Sequence, residues 1–379
     1  MSDRVVPASL GQRLLCVAEH YRGGNASLNL ALPVRLRGPL DVSALREALS
    51  QLVARHEALR TRFSGRGARM VQIISEPRPV ALELTDLSTA PDPRQEAERA
   101  LVTEIQRPMD PEAGTLRVAL WRLGEREHVL CIVVHHLVAD AWACGLISRD
   151  MGLLYNRLVV GGPPLPDVGW QYAYWAESQR EMLDGPEYGR HLPYWKTQLD
   201  GVQPPILPKP ATRSEISARR TAVERLDIDR SVVTRLQDLA REHHTTLFTV
   251  MLCLYYAALT RFTDQDDIAV ASMFANRLRR EIQQTVGFLA SVVVLRARLD
   301  RANTFNDLVQ QVHKTVVDAF VHQELPYHLL PAGTVQLDGA RADDVMFQML
   351  PEPVYQTRMY DLVVEPISIL DGLGARWDL

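Results

Sequence analysis

Leu45, Leu49, Leu52 and Val53 recur at spacings of three and four after Asp41 and Ser43, the stripe of an amphipathic helix opened by a capping side chain. The pattern changes between Glu127 and His136, where EHVLCIVVHH is almost continuously apolar, as an interior strand covered on both faces must be. Asp140 then opens a second helix, in which Trp142, Leu146, Ile147 and Leu154 are predicted to face a core. The breaker Gly161 to Pro166 (GGPPLP) puts a boundary just after it. This divides the chain into 1–166 and 167–379, with WQYAYWAESQREML as a bridging helix. A second breaker, Gly201 to Pro210, precedes an amphipathic helix (230–243), an apolar helix (245–261), apolar strands (268–274 and 290–296) and further helices. Helices and strands mixed in both halves predict an α/β or α+β fold, with sheets covered by helices. There is no solenoid period and no low-complexity run.

Composition narrows the class. A chain of 379 residues is too long for one compact core, which again points to two domains. The net charge of -4 is spread with mixed signs, so no basic face is offered to nucleic acid or to an anionic membrane. Cys16, Cys131, Cys144 and Cys253 have neither metal nor disulfide spacing and read as reduced core thiols. The start, MSDRVVPASL, has no apolar signal core, and the stretch Thr245 to Thr260 falls short of the roughly 20 residues needed to span a bilayer. The expectation is a soluble, cytoplasmic monomer.

The chemistry concentrates in LCIVVHHLVADAW. On a regular strand Leu130, Ile132, Val134 and His136 share one face and Cys131, Val133 and His135 the other. Adjacent histidines therefore cannot address one metal or one substrate together, and no HExxH or CxxC pattern supplies further ligands; no metal is expected. A neutral imidazole ending a buried strand can accept a proton from an amine or hydroxyl, or it can be a histidine satisfied within a core. Asp140 reads either as a helix cap or, if buried, as a carboxylate that needs a basic partner. No G-x-S-x-G elbow and no charge-flanked cysteine supports a covalent nucleophile.

The run His135-His136-Leu137-Val138-Ala139-Asp140-Ala141, followed by Trp142, resembles the His-His-x-x-x-Asp-Gly signature of the condensation-domain family of nonribosomal peptide synthesis. RHEALRTRF (Arg55 to Phe63), WQYAYWAES (Trp170 to Ser178), TLFTVMLCLYYAALTRFTDQDDIAVASMFANR (Thr246 to Arg277), VGFLASVVVLR (Val286 to Arg296) and HQELPY (His322 to Tyr327) are similar to further family segments. The resemblance implies two chloramphenicol-acetyltransferase-like lobes in a V shape around a tunnel. No cofactor would be bound. Donor and acceptor carrier proteins would deliver substrates on phosphopantetheine arms, and an amine would attack a thioester to give an amide. His136 matches the family's catalytic second histidine and His135 the supporting first. Asp140 and Arg277 match a structural salt bridge, expected across the lobe interface. Ala141, Trp142 and Ser291 fall at positions implied to line the tunnel. Ala141 departs from the family glycine, Ala290-Ser291 from an Asn-Thr pair, and Cys16 from a tryptophan. The chain ends at Ala375-Arg376-Trp377-Asp378-Leu379, where the family continues through another strand and helix, so an abbreviated C-terminal lobe or a truncated form is expected. Rival readings are a CoA- or carrier-dependent O-acyltransferase, an epimerization domain, or a recruitment domain without chemistry.

Overall fold

A computed structural model describes residues 3–21, 26–202, 205–207, 224–299, 304–330, 345–350 and 357–367. Chain contacts divide it into two compact units: Met1–Glu181 with Arg277–Leu289 and Pro351–Leu373, and Met182–Asn276 with Ala290–Leu350 and Gly374–Leu379. The breaker after Gly161 thus falls inside the first unit. The chain beyond it stays there because Tyr172, Trp175 and Ala176 are buried in the first unit's core. The extreme C-terminus, including Ala375 to Leu379, lies outside the described residues, as does much of the Gly201–Pro210 breaker.

In the first unit a five-stranded sheet runs β10 (Val363–Pro366), β2 (Asn29–Arg37), β7 (Glu127–His135), β6 (Leu116–Gly124) and β5 (Leu84–Asp86). β7 is its middle strand, antiparallel to both neighbours, which is why its sequence is apolar throughout. Its alternating side chains serve two cores. Leu130, Ile132 and Val134 pack with α2 (Val42–Arg55) and α4 (Ala141–Val160). Val129, Cys131 and Val133 pack with Ala97, Leu101 and Ile105 of α3 (Pro93–Gln106). Asp41 caps α2 by accepting from Ala44 N–H at 2.9 Å, and the buried stripe is the predicted one with Ala48 added. A three-stranded sheet of β1 (Arg4–Pro7), β4 (Val71–Ile74) and β3 (Thr61–Ser64) supplies the other strands of this unit among the described residues, alongside α1 (Leu10–Tyr21).

The predicted inward set of α4 is right for Leu146, Ile147 and Leu154 and wrong for Trp142, which is 48% exposed. Trp142 is the second residue of the helix, and its indole instead reaches along the surface to donate to Gln283 O at 3.0 Å.

The second unit is built on an antiparallel pair, β8 (Asp267–Phe274) and β9 (Ser291–Arg298). Ile268, Ala269, Val270, Val293, Val294 and Leu295 form its core with α8 (Leu247–Thr263) and α9 (Phe305–Val321). Tyr256 of α8 is buried in that core and donates to Leu295 O at 2.9 Å. Arg296 leaves the strand to grip the Asp267 carboxylate with Nε at 2.7 Å and Nη2 at 2.6 Å. α5 (Tyr172–Asp184), α6 (Pro186–Leu199) and α7 (Arg230–Glu242) are the remaining helices among the described residues. No single helix there is long and apolar enough to cross a membrane.

Candidate active site

β7 ends at His135, and the chain turns immediately. Val138 N–H donates to His135 O at 2.9 Å, closing the turn. His136 has therefore left the strand, and the strict alternation that would set it on the face of Val134 stops one residue short. Its N–H is still anchored, to Leu28 O at 2.8 Å. Gln12, fully buried on α1, braces the turn by donating from Nε2 to Leu137 O at 2.9 Å.

The two imidazoles are fixed differently. His135 Nδ1 accepts from Leu137 N–H at 3.2 Å, so in the neutral ring its proton sits on Nε2. His136 Nδ1 lies 2.6 Å from Ala139 O. A carbonyl only accepts, so Nδ1 carries the proton and the neutral ring has its lone pair on Nε2. Only His136 is thus held as a base through Nε2. Its ring, 5% exposed, meets Phe288 edge-on with centroids 5.1 Å apart.

Asp140 is the N-cap of α4, accepting from Ala143 N–H at 2.8 Å through Oδ1. Arg277 Nη1 and Nη2 reach Oδ2 and Oδ1 at 2.9 and 3.0 Å, a two-pronged bond between buried side chains. Leu289 N–H adds a further bond to Oδ2 at 3.0 Å. The two readings of Asp140, cap and paired carboxylate, hold together. Both partners fall in the first unit, so this ion pair lies within one unit. The Arg277 guanidinium also lies over the Trp142 ring, 5.6 Å from its centroid.

These contacts make the loop 277–289 part of the site. Arg277 and Leu289 hold Asp140, Gln283 O holds Trp142, and Phe288 abuts His136. Tyr172 fastens the loop by donating to Phe288 O at 2.9 Å, and its hydroxyl also lies 2.8 Å from Ser9 Oγ. Thr285 Oγ1 donates to Trp170 O at 2.6 Å. Gln12, Tyr172, Thr285 and Phe288 were not foreseen as site residues. Phe288 and Thr285 lie in or beside the family-like segment VGFLASVVVLR, the one signal that could have found them. Tyr172 lies in the family-like segment WQYAYWAES, which could likewise have marked it, whereas Gln12 carries no motif.

Ala141 is the exposed first residue of α4. Its φ is not among the positive values of the chain, so its Cβ meets no conformational obstacle. Ser291 opens β9 in the second unit; its buried Oγ has no hydrogen-bond partner among the described residues. Among the described residues no group of three or more His, Cys, Asp or Glu could hold a metal ion. Burial pushes the Cys131 and Cys253 thiols up to about 12, far from a thiolate nucleophile at neutral pH.

Mixed sheets covered by helices, with a middle strand handing two histidines to a turn that runs into a carboxylate-capped helix, define a condensation-type fold. The chain belongs to the Condensation domain family, which matches residues 2–360. It is 36% identical over 327 residues to chondramide synthase cmdD of Chondromyces crocatus, covering 85% of this chain and 8% of that protein. To a linear gramicidin synthase polypeptide of Brevibacillus parabrevis it is 30% identical over 387 residues, 100% of this chain and 5% of that one. To phosphinothricin tripeptide synthetase PhsC of Streptomyces viridochromogenes it is 34% identical over 336 residues, 86% and 31%. The chain therefore spans less than a third of the length of these relatives. Among solved structures, the X-domain from teicoplanin biosynthesis matches with a TM-score of 0.81 and 25% identity, covering 99% of this chain and 84% of that one. The first condensation domain of the calcium-dependent antibiotic synthetase matches with a TM-score of 0.77 and 19% identity, over 96% and 85%, a likeness of fold.

Proposed function

We propose that this chain is an acyltransferase that joins a carrier-bound acyl or aminoacyl thioester to an amine acceptor. The amine nitrogen attacks the thioester carbonyl, a C–N bond forms, the C–S bond breaks, and the phosphopantetheine thiol leaves with a proton. His136 Nε2 accepts or orients the amine proton during attack, and no acyl-enzyme forms. The observation that carries this reading is the bond from His136 Nδ1 to Ala139 O, which presents Nε2 as the proton acceptor. Membership of a family whose relatives are peptide synthases supports it. Donor and acceptor carrier proteins are the proposed partners. Two tethered substrates held end to end would gain much of the rate from proximity. The proposed setting is the cytoplasm, with the chain acting as a monomer.

The test is incubation with loaded donor and acceptor carrier proteins, followed by intact-protein mass spectrometry. Wild-type chain is expected to move the acyl group onto the acceptor. His136→Ala should lose about 10²–10⁴ in rate while folding normally. Turnover within threefold of wild type in that variant removes His136 from the mechanism. Equal efficiency with an acyl-CoA and an acyl-carrier protein would favour the CoA-dependent alternative. Failure of the wild-type chain to transfer any acyl group, while it still binds the carriers, would favour recruitment without chemistry.

A further inference from the structure

A concavity lies in the first unit beside β6, in the sheet that also carries β7. It encloses about 650 Å³, the size of a small-molecule site. Its apolar floor includes Val53, Leu59, Leu116 and Val118. Five guanidinium groups border it, from Arg60, Arg62, Arg78, Arg107 and Arg117, against the carboxylates of Asp3 and Glu76.

Not all of these cations are available. Arg107 and Arg117 share Glu104, at 2.8 and 2.6 Å. Arg62 meets Asp3 at 2.8 Å. Arg60 donates through Nη1 to Ser75 O and lies 3.8 Å from Glu57, but its buried Nε has no hydrogen-bond partner among the described residues. Arg78 is exposed and has no ion-pair partner among them. With Glu57 and Glu104 counted, positive charge remains in excess, centred on Arg60 and Arg78.

The backbone adds donors. His135 N–H bonds to Thr115 O at 2.9 Å. By the alternation of antiparallel pairing, Arg117 then also faces β7, while Leu116 and Val118 turn their N–H groups to the other edge of β6. On that edge β5 runs only beside Leu120 to Arg122, so the N–H groups of Leu116 and Val118 face the cleft with no strand alongside. Apolar floor, backbone N–H donors and uncommitted guanidinium nitrogens are the parts of an anion site.

We propose that this cleft binds a compact small molecule bearing a phosphate or diphosphate group, with Arg78 and Arg60 on the anion and Leu116 and Val118 supplying backbone donors. The site is separate from the His136 chemistry, although Thr115 lines the cleft and receives His135 N–H. The open edge is too short for a peptide strand, which averages five to six residues, so a small ligand is preferred to an extended acidic segment.

The probe is inorganic pyrophosphate, titrated calorimetrically into the full chain at low ionic strength. Saturable one-to-one binding is expected, at least tenfold weaker in Arg78→Glu. Arg235→Glu, an equal change of charge on exposed α7 in the second unit, should bind as wild type. Equal weakening by both variants would reduce the effect to the net charge of the chain and overturn the proposal. So would absence of saturable binding, or binding of an acidic peptide in place of pyrophosphate. Melting temperatures within a degree of wild type are expected for both exposed-site variants, so loss of fold does not enter the comparison.

Discussion

At the scale of single residues, the distinction between the two histidines rests on which backbone group each Nδ1 meets. His135 Nδ1 faces an N–H and His136 Nδ1 faces a carbonyl, so the pair is set in opposite tautomers. Phe288 limits the remaining freedom of the His136 ring. Phe288→Leu should lower kcat by about 10–10²-fold with little change in KM, because misplacing a reacting group is felt in the transition state. A fall in kcat/KM caused by KM alone would assign Phe288 to substrate binding instead. The Asp140–Arg277 pair is a second residue-scale matter. Removing either partner strands a buried charge, at about 3–5 kcal/mol. Asp140→Ala and Arg277→Ala should each lower stability by that order, and the double variant should fall well short of the sum. Denaturant unfolding of the four proteins closes the cycle, and strictly additive losses would contradict a direct interaction.

At the scale of elements, the loop 277–289 depends on close approach. A Cβ on Gly287 would sit 1.9 Å from Tyr172 Cδ2, so Gly287→Ala must push the loop off α5. Calorimetry should record a melting temperature lower by several degrees, with acyl transfer reduced because Phe288 moves with its neighbour. α2 and α4 are joined by another buried group: Asp150 accepts from Arg55 Nε at 2.8 Å and Arg149 Nη2 at 2.6 Å, and lies 3.0 Å from His56 Nε2. Elements with a strong period were legible in the sequence: α2 with its cap, the interior strand β7, the apolar helix α8, and strands near 268–274 and 290–296. Asp140 at the start of α4 was also legible, because a capping carboxylate has a local signature. Trp142 was misassigned because its indole, on the exposed first turn of the helix, reaches along the surface to Gln283 O of a distant loop, a contact that periodicity does not see. His136 escaped the strand pattern because a turn began one residue earlier than the apolar run suggested. Tyr172 and Gln12 act through contacts 100 or more residues away, which no local pattern encodes.

At the scale of the whole molecule, stability should depend on pH in two separate windows. Burial lowers the His56 pKa below 6.5, although Asp150 opposes this. The unfolded chain then binds more protons than the folded one below about pH 6.5. The contribution is present in full above that pH and is lost as pH falls through the window, at no more than about 1.4 kcal/mol per pH unit for one group. Hydrogen bonds from His56, Arg149 and Arg55 outweigh burial and hold Asp150 well below the usual carboxylate range, so its contribution is lost only below about pH 4. Urea unfolding from pH 7.5 to 5 should show stability decreasing, and His56→Gln, which keeps a donor for Asp150, should flatten that slope. An unchanged slope would move the effect to other histidines. The discontinuity of the first unit has a consequence in time. Arg277 follows Asp140 by 137 residues, and a ribosome adds about 5–20 residues per second. A nascent chain therefore carries Asp140 for about 7–27 s before its guanidinium partner has been synthesised. During synthesis the His-His turn and its capped helix wait for a late-arriving segment, so the order of translation sets the earliest moment at which the motif can close.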